Sequence, residues 1–327
     1  MRSDLSPYEP ALSAVPGDPE ALAEVVHREY RDRLLVRDLA AVLAQERPGR
    51  RLLPLFELLP VRADVWAELL ACVLQELVIR GMRLTRAPAA VRCAERLREL
   101  GHPLAGLPLK RSRGERELRV PCYESRRWDG CWTLYVPEPP ELPDVSALST
   151  RPDGGPAREN AAAARPKGIV DGGDPELIGA AVEHWGPTLA TLMRLPSRVA
   201  PADLLAPMAV NRFLPERLRE GVVLNGVRTD LTWVVADLLT AAYRPATYVE
   251  GLRGGYGRLA VWRSVAGLVG APGDTSVHRV NELAARWHWL AFRVTRREPY
   301  WVDRELAVGA LSPRGDRLGL LIAHDTD

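Results

Sequence analysis

Apolar residues recur at helical spacing through the first hundred positions and alternate with polar ones at the end of the chain. Together the two regimes predict an α+β protein, mostly helical, with a small C-terminal antiparallel sheet packed on helices. The clearest helix follows Asp64, where Val65, Trp66, Leu69, Leu70, Val73, Leu77 and Val78 share a broad face and Gly81 ends the run. Upstream, Asp18-Pro19-Glu20 supplies a cap, a proline suited to the first turn and an acid at the positive end of the dipole, followed by Leu22, Val25, Val26 and Tyr30. Further helices are expected over residues 38–46, 88–100, 201–212, 230–243, 256–269 and 276–287.

Alternation marks the other end. Leu306, Val308 and Ala310 keep a period of two, residues 312–316 carry the turn chemistry of Pro313 and Gly315, and Leu318, Leu320 and Ile322 resume the period. The run WLAFRV at 289–294 predicts a third strand, because a lone hairpin is marginal in water. Residues 117–123 and 131–136 predict a separate short hairpin whose first strand Pro121 confines to an edge. The chain therefore divides into a tail at 1–17, a helical region with a short hairpin at 18–136, a linker or long loop at 137–173 and an α+β C-terminal domain at 174–327. Gly-Asp-Pro-Glu occurs at both 17–20 and 173–176, which a duplication of the fold or, more simply, reuse of a favourable helix start explains.

Composition narrows the function classes. Basic residues number 44 against 42 acids, so no global field favours nucleic acid. Only Lys110 and Lys167 are lysines, which with abundant alanine, proline and glycine fits the codon bias of a GC-rich genome. Four cysteines in 327 residues need no disulfide framework, and Cys72 and Cys93 fall among apolar helical neighbours. Cys122 and Cys131 lack a CxxC partner, so no metal is expected. The charged, proline-containing N-terminus does not resemble a secretory signal, and the apolar stretches fall short of the roughly 20 residues that span a bilayer. A cytoplasmic protein with reduced thiols and no membrane contact is the expectation.

Several residues are candidates for chemistry. Residues 255–260 fit GxGxxA and open a helix, but no buried strand precedes them and the alternating βαβ pattern is missing, so no nucleotide cofactor is expected. The same helix start, with Arg258 and Arg253, could hold an anion. His278 and Glu282 share a helical face, and the terminal AHDTD adds His324, Asp325 and Asp327, types able to ligate a metal or move a proton. Trp287, Trp289 and Trp301 gather where a helix gives way to a strand, an arrangement that serves either core packing or an aromatic contact with a ligand or protein. HExxH, P-loop, GxSxG and paired CxxC motifs are absent.

The segment GGYGRLAVWRSVAGLVGAP together with the closing SPRGDRLGLLIAHDTD resembles an actinobacterial family of uncharacterised proteins, a domain of unknown function, chiefly over residues 230–327. His324 departs from the small residue expected there. The resemblance implies a bacterial, intracellular origin and no established activity, and it transfers no catalytic residue. Two functions are open on these grounds. One is a noncatalytic binding or protein-interaction module; the other is an enzyme or a small-molecule or anion binder with a pocket between the helical half and the C-terminal sheet.

Overall fold

The computed structural model describes residues 8–14, 18–47, 49–116, 118, 122–125, 132–135, 169–170, 173–205, 209–214, 222–244, 249, 251–296 and 302–326. Residues 1–7, nearly all of the expected linker, Cys131 and Trp301 lie outside them. Helices come first: α1 (Glu9–Ala14), α2 (Pro19–Glu29), α3 (Arg33–Glu46), α4 (Gly49–Leu52), α5 (Val65–Ile79) and α6 (Pro88–Glu99). The hairpin β1 (Cys122–Ser125) and β2 (Trp132–Tyr135) follows, antiparallel. Then come β3 (Ile169–Val170), α7 (Pro175–Gly179), β4 (Pro187–Arg194), β5 (Val222–Thr229), α8 (Leu231–Tyr243), α9 (Gly254–Leu268), α10 (Val277–Ala284), β6 (His288–Arg296), β7 (Val302–Leu311) and β8 (Arg317–Thr326).

Aspartates start these helices by accepting the N–H groups that the first turn leaves without a partner. Asp18 accepts from Glu20 and Ala21, Asp64 from Trp66 and Ala67, Asp174 from Glu176 and Leu177, and Asp230 from Trp233. Within the stretch expected to be a tail, residues 9–14 form α1, whose Ala11 is buried and which packs on α2. The helix expected over 201–212 is instead two 3₁₀ turns, Pro201–Leu204 and Val210–Phe213. Pro207 lacks the N–H that a continuous helix would need there.

The C-terminal sheet is larger than three strands. It has six, in the order β3-β4-β8-β7-β6-β5, every pair antiparallel. β4 (PTLATLMR) and β5 (VVLNGVRT) carry no clear alternation in sequence, because the sheet is buried on both faces. On β7, Leu306, Val308 and Ala310 join the core shared with the helices, whereas Ala307 and Leu311 face a second core with Leu318, Leu320 and Ile322 of β8. That second core is covered by Leu195, Leu204, Val210, Phe213 and Leu214 from the segment after β4. The main core runs from Tyr8 to Ala323 and draws on both halves of the chain.

Helix α9 is the joint between them. Its N-terminal turn rests on α5 so closely that a Cβ on Gly255 would lie 2.6 Å from Leu104 Cδ1 and 2.9 Å from Gln75 Cβ. At its far end, a Cβ on Gly319 of β8 would stand 2.2 Å from the Leu268 carbonyl oxygen. The glycines of GxGxxA thus serve helix packing. The residues before them, 251–253, are coil, and no parallel strand pair exists among the described residues to build a dinucleotide site.

Candidate functional site

Arg258 lies in the second turn of α9 and is 1% exposed, so its charge must be met inside the protein. All five of its N–H donors are engaged. Nε donates to Glu115 Oε1 at 2.6 Å; Nη2 donates to Glu115 Oε2 at 3.0 Å and to the Lys110 carbonyl at 3.1 Å; Nη1 donates to the Pro108 carbonyl at 2.8 Å and to Gln75 Oε1. Glu115 also accepts from Trp262 Nε1 at 3.1 Å and from the Ser112 N–H at 2.6 Å. Burial alone would push the Glu115 carboxyl up, but the Arg258 charge and these donors hold it below the usual carboxylate range. Arg258 therefore has no donor left for a ligand. Its guanidinium locks the turn Arg113–Glu115 onto α5 and α9.

A second polar seam joins α3, α5 and α9. Glu68 accepts from Arg37 Nε at 2.9 Å and Tyr256 Oη at 3.1 Å, and His102 Nε2 lies 3.2 Å from it. The Leu104 N–H donates to His102 Nδ1, so Nε2 carries the proton towards Glu68. Burial opposes ionisation of Glu68, yet His102 and Arg37 hold its carboxyl down at about 2. Arg37 also stacks 3.8 Å above the Tyr256 ring, and Arg253 Nε donates to Asp38 at 2.8 Å. About two turns along α5, Glu76 is pushed up to about 7 by burial, with Arg80 opposing and Asp38 adding to the rise.

Locking the Arg113–Glu115 turn has an outward consequence, because Arg113 and Gly114 form one wall of a cleft of 310 Å³. The end of β5 and the start of α8, from Arg228 to Thr232, also line it, with Leu231 packed beside Gly114. α10 contributes Asn281, whose Oδ1 accepts the Gly114 N–H at 3.2 Å, and the approach to β6 contributes Trp287 to Trp289. The cleft thus lies between the helical half and the sheet. Arg113 and Arg228 are both exposed, and among the described residues neither guanidinium has a hydrogen-bond or ion-pair partner. The carboxylate in the cleft, Asp230, spends Oδ1 on the Trp233 N–H at 2.9 Å. Two cations against one acid, beside the positive end of the α8 dipole, make the cleft attractive to anions.

The residues nominated from sequence separate into distinct places. Trp287, half-buried, and Trp289 line the cleft, although Trp289 is 2% exposed and its Nε1 is spent on the Ala284 carbonyl at 2.9 Å. His278 is 83% exposed on the outside of α10, 3.4 Å from Glu282, which also meets Arg279 at 3.2 Å. Neither lines the cleft, and Arg258 is buried behind its wall. Trp301 falls outside the described residues. Among the described residues no group of three or more His, Cys, Asp or Glu is placed to hold a metal. The cleft residues Arg113, Arg228 and Asn281 carry no sequence signal: two exposed arginines among 44 basic residues look like any solvated surface.

The family described as "Family of unknown function (DUF6183)" matches residues 1–327, so the likeness extends over the whole chain rather than its last third. No curated protein and no solved structure matches it. No helix among the described residues is long and apolar enough to cross a membrane.

Proposed function

The chain belongs to this family of unknown function, DUF6183, along its entire length, and from that premise we propose that it is a noncatalytic binding protein for a small anionic ligand held in the cleft between Arg113 and Arg228. The observation that carries this reading is the pair of guanidiniums lining one concave site, neither with a partner among the described residues. Elsewhere in the structure, arginines such as Arg37, Arg253 and Arg258 are paired with carboxylates. A concavity of 310 Å³ suits a small molecule better than a protein surface, which needs a contact area many times larger. Binding is favoured over catalysis because Asp230 spends one carboxylate oxygen capping α8 and no second acid is among the described residues lining the cleft.

The same reading keeps the protein in the cytoplasm of an actinobacterium. Its support is the GC-rich composition and the two buried free thiols, Cys72 and Cys93, which suit a reducing compartment. The test is thermal unfolding in increasing inorganic phosphate at constant ionic strength. Saturable stabilisation that disappears in R113A/R228A is expected; equal stabilisation of both proteins would overturn the reading.

A further inference from the structure

Resting on that cleft, we infer that its ligand is a hydroxylated anion of monosaccharide size: a sugar phosphate or a sugar acid. The cleft offers more than cations. Thr229 and Thr232 bring hydroxyls that both donate and accept, and Asp230 Oδ2 is an acceptor that the helix cap does not use. Asn281 has its oxygen committed to the Gly114 N–H, which leaves its amide N–H groups for a ligand. A bare phosphate or carboxylate satisfies the arginines but gives nothing to the Asp230 oxygen, and an acceptor buried by a ligand without a donor costs affinity. Ligand hydroxyls meet that need. The half-buried indole of Trp287 supplies one apolar wall, against which the C–H face of a sugar ring packs.

Size points the same way. At 310 Å³ the cleft sits at the lower end of ligand pockets, about 300–1,000 Å³, and admits one ring with its anionic group but not a dinucleotide. Carboxylate and phosphate sources share this chemistry, and the experiment separates them.

The experiment is isothermal titration of the full chain with glucose 6-phosphate, glucuronate, inorganic phosphate, phenyl phosphate and glucose. We expect glucose 6-phosphate or glucuronate to bind at least tenfold more tightly than inorganic phosphate and phenyl phosphate, with glucose weakest. The stronger of the two identifies the anion. R228A should cost the charged sugars at least tenfold. N281D, which keeps the oxygen for Gly114 but removes the amide donors and adds a negative charge, should do the same while leaving Tm within a few degrees. Inorganic phosphate binding as tightly as glucose 6-phosphate would overturn the sugar inference and leave the anion site standing. Tighter binding of phenyl phosphate would overturn it in favour of an aromatic anion. Binding of none of the five would remove both this inference and the anion reading beneath it.

Discussion

Removing the charge of Glu115 while keeping its shape, in E115Q, is the perturbation that most sharply separates a buried structural ion pair from a surface one. Glu115 and Arg258 are each 1% exposed, and the carboxylate accepts four hydrogen bonds: two from Arg258, one from Trp262 and one from the Ser112 N–H. In E115Q the amide oxygen can serve some of these donors, but its NH₂ group then faces a donor, and the Arg258 charge stays buried without a counter-ion. Breaking a buried pair from one side costs about 3–5 kcal/mol. That is a large part of the about 5–15 kcal/mol by which a domain is stable.

The companion variant R258M leaves the acid unpaired. The Glu115 carboxyl then rises out of its depressed range, because burial, which Arg258 had outweighed, becomes the dominant influence. The double variant E115L/R258M removes both charges and should recover much of the loss, as apolar replacement of buried pairs does. Urea unfolding followed by tryptophan fluorescence at pH 7 measures all three. Destabilisation of E115Q by less than about 1 kcal/mol, the range of exposed pairs, would refute the burial on which this reasoning rests. Because Arg113 and Gly114 lie within the turn that Glu115 closes, E115Q should also weaken anion binding. The loss should vanish when the cycle is repeated in an R113A background.

Three further expectations follow from single sites. Asp64→Ala removes the acceptor of the Trp66 and Ala67 N–H groups and should cost about 1–2 kcal/mol in urea unfolding, whereas Asp64→Ser should recover most of it. Gly319→Ala places a Cβ 2.2 Å from the Leu268 carbonyl, a backbone atom that cannot swing away, so a fall in Tm of several degrees or insoluble expression is expected. Glu76, with its carboxyl at about 7 in the folded state against 4.5 unfolded, is protonated more readily when folded. Its contribution is therefore complete below about pH 4.5 and is lost as pH rises through 7, by about 3 kcal/mol at roughly 1.4 kcal/mol per pH unit of difference. Glu76→Gln should flatten that loss between pH 5 and 8, as read from urea midpoints; an unchanged pH profile would show that Glu76 is not the group responsible.

Much of the fold is written in local chemistry. Asp18, Asp64, Asp174 and Asp230 announce their helices because a short acceptor before a free N–H is a signal any cap must carry. The hairpin at Ser312–Asp316 is equally plain, with Gly315 at φ +69° and the Ser312 hydroxyl accepting from the Asp316 and Arg317 N–H groups. Strands β4 and β5 are less legible. Leu192 faces the helices and Met193 the second core, so apolar residues fall on both faces and no clean alternation with polar ones results. Arg258 illustrates the limit for sites. Its position at a glycine-rich helix start suggested a ligand, but its partner Glu115 lies 143 residues away, and only folding brings the two together. A pocket between the helical half and the sheet is expected from the sequence, but its lining is not legible there, since Arg113, Arg228 and Asn281 come from three separate elements.

An anion seated between Arg113 and Arg228 would be visible in a tungstate soak of crystals of the full chain. Tungstate mimics phosphate and scatters anomalously. An anomalous peak is expected within hydrogen-bonding distance of both guanidiniums in wild type and absent from R113A/R228A crystals soaked in the same way. Peaks found only at other arginines, or a peak in the cleft that survives the double substitution, would contradict it.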